Sequence, residues 1–217
     1  MPLTDRLKEL LIQVRVEFDL DVFIEGGTYY GSTALWASDH FDKVVTVELS
    51  PALHEIAKAK INRQNILFLQ GDTREVFKSI SPSLVCRAIF WLDSHWSGGE
   101  TAGEDSECPL LDELSILLDH DCIQLMLIDD ARLFLAPPPP PHKEDHWPNI
   151  ASIVQAVYKK NASLFLFIVD DVIIVGQDAF RPFIINWLRN FSKTSSKPDL
   201  SRNILRRMLS RLLSGAL

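Results

Sequence analysis

Apolar positions recur along this chain in two rhythms. Leu7, Leu10, Leu11 and Val14 return at helical spacing behind Thr4, a candidate N-cap, and predict an opening helix. Then come short, nearly continuous apolar runs at 22–24, 44–47, 66–69, 88–92 and 124–128, each bounded by turn residues. Runs of that kind read as strands buried on both faces. Ser50-Pro51, an N-cap followed by a first-turn proline, opens a helix through Ile61. Gly71-Asp72 leads into a short helix. Pro109 opens another carrying Leu110, Leu111, Leu114, Leu117 and Leu118, and Pro148 starts one ending near Lys159. The last two runs, 164–169 and 172–175, meet at Asp170-Asp171 and predict a tight antiparallel hairpin.

Five strand–helix units closed by a hairpin imply an α/β fold. The expected sheet is doubly wound and mostly parallel, with seven strands, one of them antiparallel, and helices on both faces. The 217 residues suffice for one such domain, expected over 1–180, and a helical extension is expected over 181–217. In that extension Phe183, Ile184, Trp187 and Leu188 predict a packed helix. After a polar linker, Ile204, Leu205, Met208, Leu209, Leu212 and Leu213 form a stripe opposite Arg202, Arg206, Arg207 and Arg211. Packing on the chain itself, or a homodimer through this helix, is favoured over a membrane surface.

A net charge of −7 argues against nucleic acid as partner, because a phosphate backbone needs a basic surface. Cys86, Cys108 and Cys122 have no metal-ligand spacing, and one is left over in any disulfide scheme. Reduced thiols in the cytoplasm are the simpler account. No apolar run reaches membrane-spanning length.

The stretch 23–50 organises the rest: a strand, the turn Glu25-Gly26-Gly27, a helix opened by Gly31, and a second strand closing on Glu48. Glycine lets a backbone take positive φ or approach a ligand closely. A phosphate loop is excluded because Ser32 stands where lysine is needed and Glu25 would repel a polyphosphate. The dinucleotide pattern fails because residues 28–30 are Thr, Tyr and Tyr. A nucleoside with a cationic amino-acid tail fits: Glu25 for the ammonium and Glu48 for both ribose hydroxyls.

At these residues the chain resembles the class I S-adenosylmethionine-dependent methyltransferases, whose first motif is [DE]-x-G-x-x-x-G-x-[ST]. Glu25, Gly27 and Thr33 stand for it here, with Gly26 adjacent and Gly31 read as one place off the commonest spacing. The resemblance covers about 20–177 and implies strand order 3-2-1-4-5-7-6. It also places Asp72, in the turn QGDT, beside the adenine; a helix N-cap is the plain alternative for that residue.

Every parallel strand ends on an acid: Glu25, Glu48, Asp72, Asp93, and Asp129 with Asp130. Asp93, Asp129 and Asp130 would suit Mg²⁺ or Ca²⁺, and they look like the metal site of the catechol and macrolide-sugar O-methyltransferases. Capping of local turns is the alternative. His95, two residues beyond Asp93, suits a general base, a fourth metal ligand or a surface position. The loop 94–108, with Trp96 and Gly98-Gly99, is longer than plain linkage needs. The proline-rich loop 131–147 leaves from Asp130 and is expected to be a substrate lid or a linker. His142 and His146 follow a proline run that denies them a shared helix for zinc, and Cys108 is read as inert.

These readings imply methyl transfer from S-adenosylmethionine to a small hydroxylated acceptor such as a sugar, glycoside or catechol-like ring, with Asp93 and His95 at the reacting centre. A non-catalytic scaffold with the same fold is the alternative. A nicotinamide oxidoreductase is a weaker third reading.

Overall fold

A computed structural model describes residues 3–80, 85–120 and 125–195. Helix α1 (Asp5–Phe18) starts where Thr4 Oγ1 accepts the Leu7 N–H, and ends on Asp19 in the left-handed region. Its buried face is Leu7, Leu10, Leu11 and Val14, the stripe read from the sequence. Then follow β1 (Val22–Gly26), α2 (Ser32–Ser38), β2 (Lys43–Glu48) and α3 (Pro51–Lys60). The chain continues through β3 (Ile66–Gln70), α4 (Thr73–Ser79), β4 (Ala88–Leu92) and α5 (Leu110–Leu117). It closes the domain with β5 (Leu125–Ile128), the single turn α6 (Arg132–Leu135), α7 (Ile150–Lys160), β6 (Phe165–Val169) and β7 (Val172–Gly176).

The seven strands form one sheet in the order β3-β2-β1-β4-β5-β7-β6. β1 to β5 pair in parallel, and β7 runs antiparallel to both β5 and β6. The central strands β1, β4 and β5 are buried at every position, as parallel strands covered on both faces must be. The edge strands β3 and β6 are half exposed. Alternate residues face opposite sides. Val22 and Ile24 join the core that includes Phe77, Leu114 and Val157 from α4, α5 and α7. Phe23, between them, packs edge-on against Trp36 of α2 and tilted against Phe41.

Register fixes the working end of the sheet. Gly26 lies beside both Val47 and Leu92, Glu48 beside Gln70, and Leu92 beside Ile128. All five parallel strands therefore deliver their last residues to one edge. β7 pairs Ile173 with Ile128, so the Asp170-Asp171 hairpin turn returns to that same edge.

The chain separates into two compact units, Met1–Ala179 and Phe180–Leu217. In the second, Arg181–Ser195 forms helix α8, which carries Phe183, Ile184, Trp187 and Leu188. The amphipathic segment 204–213, and with it the expected dimer contact, lies outside the described residues, as does Cys122. No described helix is long and apolar enough to cross a membrane.

The cysteine reading needs correction. Cys86 is disulfide-bonded, so the thiols are not all reduced, and the cysteine argument for a cytoplasmic location falls with that reading. Cys108 is free, and burial pushes its thiol up to about 12. A thiol held protonated in that way is inert as a nucleophile.

Candidate functional site

A cavity of about 480 Å³ opens over the carboxyl ends of β1 to β4. Its walls include Glu25, Glu48, Asp72, Asp93 and His95. The sheet register explains the gathering, because each residue is the tip of a strand or lies just beyond it. Gly27, Thr33 and Thr73 also line the cavity.

The glycine turn folds tightly against its neighbours. Gly27 has φ +89°, and a Cβ there would stand 2.0 Å from the Asp93 carbonyl oxygen. Gly31 has φ +76°, and its Cβ would stand 2.4 Å from Ile61 Cδ1. These two positions therefore demand glycine. With Glu25 and Thr33 they occupy the motif frame as it stands, so the expected one-residue displacement of Gly31 is not needed. Gly26 keeps an ordinary φ and packs toward Thr73 and Phe77.

The turn's N–H groups are spent internally. Those of Gly27 and Thr28 donate to the Val47 carbonyl, that of Tyr29 to Glu48, and that of Gly31 to the Thr28 carbonyl. None of these four donors is turned outward as a phosphate cradle requires. The case against a phosphate loop thus gains a physical basis.

Glu25 is buried at the end of β1, and its Oε2 accepts a hydrogen bond from Thr46 Oγ1 at 2.6 Å. Burial raises its carboxyl to about 8, against the opposing pull of that hydrogen bond. Glu48 is held by two backbone donors, Tyr29 N–H at 2.8 Å and Ser50 N–H at 2.9 Å, one on each oxygen. Each oxygen keeps a second lone pair for a ligand hydroxyl. Asp72 is the N-cap of α4, accepting the Arg74 N–H, and also grips the Arg74 guanidinium. The Arg74 side-chain bond holds its carboxyl below the usual value. Its plain capping reading is what the geometry displays, at a position that also lines the cavity.

Beyond the end of β4, His95 lies between two carboxylates. Its Nε2 is 3.1 Å from Asp130 Oδ2, and its Nδ1 is 3.7 Å from Asp93 Oδ1. Burial pushes the imidazole pKa down, but the Asp130 bond and the charges of Asp93, Asp130 and Asp129 outweigh it and raise it. Burial raises Asp93 to about 7; the charge of His95 opposes the rise and that of Asp129 adds to it. Burial and repulsion from Asp130 also raise Asp129, whose Oδ1 accepts the Asp130 N–H. Asp130 behaves oppositely. Burial pushes it up, but His95 and Arg132 hold it well below the carboxylate range. Arg132 Nη1 reaches Asp130 Oδ1 at 2.6 Å and also grips Asp171 of the hairpin turn.

The expected metal ligands do not fit a metal in this arrangement. His95 holds one oxygen of Asp130 and Arg132 the other. Among the described residues, no group of three His, Cys, Asp or Glu is arranged to hold a metal ion. The three aspartates are neighbours, and among the described residues His95 and Arg132 pair with Asp93 and Asp130.

Of the two long loops, 94–108 lines the cavity, in keeping with a length beyond plain linkage, and 131–147 does not. The lining residues of the first include Ser97, Gly98, Thr101, Ala102, Gly103 and Ser106. The cover is therefore 97–106, closed at its base by the bond from Trp96 N–H to the Glu107 carbonyl and tied at its tip by Tyr30 Oη–H to Glu100. The proline-rich loop is tied to the base of that cover. Buried Glu107 accepts from Trp147 Nε1 at 2.7 Å and Lys143 N–H at 3.1 Å, and pairs with His142 Nδ1 at 3.0 Å. Trp147 stacks at an angle on His95, 5.2 Å between ring centroids.

Sequence reasoning missed Thr46, Glu107 and Glu113. Thr46 was visible as the one polar residue inside a buried strand, and Glu113 as an acid on the leucine face of its helix. Glu107 carried no local signal, since its partners are 35 to 40 residues away.

No family model matches the sequence, and no curated protein matches it. Solved structures do match, at low identity. The O-methyltransferase TomG from Streptomyces achromogenes, involved in tomaymycin synthesis and crystallised with S-adenosylmethionine, is 11% identical with a TM-score of 0.55, over 80% of each chain. Cofactor-bound Rv0187 from MTB is 12% identical with a TM-score of 0.52, over 81% of each chain. The methyltransferase domain of bacterial CtHen1 is 12% identical with a TM-score of 0.51, over 80% of this chain and 97% of that one. Over about four fifths of its length the chain thus shares the fold of these methyltransferase structures.

Proposed function

We propose that this chain is an S-adenosylmethionine-dependent methyltransferase that methylates a hydroxyl of a small polar acceptor. The observation that carries the reading is that Glu25, Glu48, Asp93 and His95 all line one cavity. A volume of about 480 Å³ is within the range of small-molecule sites. Ser97, Thr101 and Ser106 on the cover suit a hydroxylated acceptor such as a sugar or glycoside.

The residues fit the cofactor's chemistry. Glu25, ionised, pairs with the amino-acid ammonium. Glu48 accepts the ribose hydroxyls on the lone pairs its two backbone donors leave over, and Asp72, which lines the same cavity, is assigned to the adenine side. When bound, S-adenosylmethionine supplies a methyl group made electrophilic by its sulfonium. His95 takes the acceptor's hydroxyl proton on Nδ1, the nitrogen turned away from Asp130. Asp130 fixes the ring through Nε2 and stabilises the imidazolium that forms. The cover 97–106 and Trp147 behind His95 keep water from the reacting hydroxyl. No step is assigned to a divalent cation.

Calorimetric titration of the wild type and Glu48→Ala with S-adenosylmethionine tests this function. Saturable binding that the substitution abolishes is expected. Absence of binding to the wild type overturns it.

A further inference from the structure

The start of α4 and the segment after β4 meet at a carboxylate that no step above uses. Glu113 lies in the first turn of α5 on the same buried face as Leu110, Leu114 and Leu117. A carboxylate there is costly to bury unless its oxygens are met by donors. It is 1% exposed, and its Oε1 accepts hydrogen bonds from both Thr73 Oγ1 and Ser94 Oγ, each at 2.5 Å.

The two donors come from the ends of different strands, β3 and β4, and meet at one carboxylate oxygen. Thr73 follows Asp72 on the cofactor side, and Ser94 stands between Asp93 and His95 on the acceptor side; both line the site. Gly26 packs between them, where a Cβ would stand 3.1 Å from Thr73 Cγ2 and 3.5 Å from Ser94 Cβ. A second cavity of about 10 Å³ is lined by Ser94, His95 and Glu113, close to the space one water needs. Glu113 therefore reaches His95 through the chain at Ser94 and through this small space.

We propose that Glu113 is a positioning residue for methyl transfer: it sets the spacing between Thr73 and Ser94, and through Ser94 the placement of His95. The proposal rests on the methyltransferase reading of the cavity. Leucine in its place would fill the volume and satisfy the helix pattern but would leave both hydroxyls without their acceptor. Glutamine would keep an acceptor oxygen at the same position.

The test uses Glu113→Leu, Glu113→Gln and Ser94→Ala in the full chain, read by melting temperature, S-adenosylmethionine affinity and the ¹⁵N imidazole resonances of His95. The two hydroxyls left without an acceptor lower stability, so the leucine variant is expected to fold but to melt below the wild type. It should also bind the cofactor about tenfold more weakly, the loss of roughly one charged hydrogen bond. Shifted His95 resonances are expected in Glu113→Leu and Ser94→Ala, and near-normal values of both readouts in Glu113→Gln. Wild-type affinity and resonances in the leucine variant overturn the proposal. If the wild type binds no cofactor, the methyltransferase reading fails, but the resonances still decide: unshifted in both Glu113→Leu and Ser94→Ala, they overturn the role of Glu113. Should the leucine variant not fold, Ser94→Ala decides alone.

Discussion

Thr46 stands directly beside Glu25 across the parallel β1–β2 pair, and its hydroxyl donates to the Glu25 carboxylate. That commits its only proton, so in the 2.6 Å contact between Thr46 and Thr28 hydroxyls, Thr28 must be the donor. A directed chain, Thr28 to Thr46 to Glu25, thus runs through the core to the acid that faces the cofactor's ammonium.

Removing the middle of this chain should weaken cofactor binding. Thr46→Val keeps the shape but removes one of the two threonine donors to Glu25, the other being Thr33, at a cost of about 1–3 kcal/mol for a buried polar group. We expect S-adenosylmethionine affinity to fall about tenfold, with recovery in Thr46→Ser, both measured by calorimetry. Equal affinities in all three proteins would show that the chain is incidental.

Cofactor capture should release a proton. Glu25 sits near 8 in the free protein, so at neutral pH it is mostly protonated and must ionise to pair with an ammonium. Affinity should therefore rise with pH up to about 8. Titrations in two buffers of different ionisation enthalpy should count close to one proton released, and none in Glu25→Gln if that variant still binds.

Stability should fall on both sides of a mid-acid optimum. Glu25 is raised from 4.5 to about 8, so its contribution is full below 4.5 and is lost as pH rises through 8. Glu107 is the opposite case. Desolvation pushes it up, but the bonds from Trp147, Lys143 and His142 prevail and hold it below 4.5. Its contribution is present above that value and disappears as pH falls through its depressed pKa. Melting temperature against pH should show both limbs, Glu25→Gln flattening the alkaline one. Glu107→Gln should flatten the acid limb and cost about 1–3 kcal/mol overall.

His95 should govern turnover rather than binding. Loss of a positioned general base costs on the order of 10²–10⁴ in rate. His95→Ala should lower turnover of a hydroxylated acceptor by that factor while cofactor affinity stays within about threefold, a shift of under 1 kcal/mol. An unchanged rate would remove His95 from the mechanism.

Magnesium should not matter to the fold. With both oxygens of Asp130 engaged by His95 and Arg132, millimolar Mg²⁺ should leave the melting temperature unchanged, and chelator should leave turnover unchanged. A rise of several degrees with Mg²⁺ would mean that His95 yields its place to the ion.

The rhythm of apolar runs was enough to determine the strands, the closing hairpin and the parallel sheet, because burial on both faces writes continuous apolar segments into a sequence. It also placed acids at the strand ends, since chain order and strand direction decide which residues reach the ligand edge. Partners that lie far apart in the chain were another matter. Nothing local says that Glu107 clasps Trp147, that Glu113 joins Thr73 to Ser94, or that His95 and Arg132 satisfy Asp130. A side chain's charge and its donors are settled by what packing brings within about 3 Å of it, the reach of a hydrogen bond. Three aspartates in a sequence spell a metal site. In the folded chain a histidine and an arginine stand beside them, pairings that only tertiary structure creates.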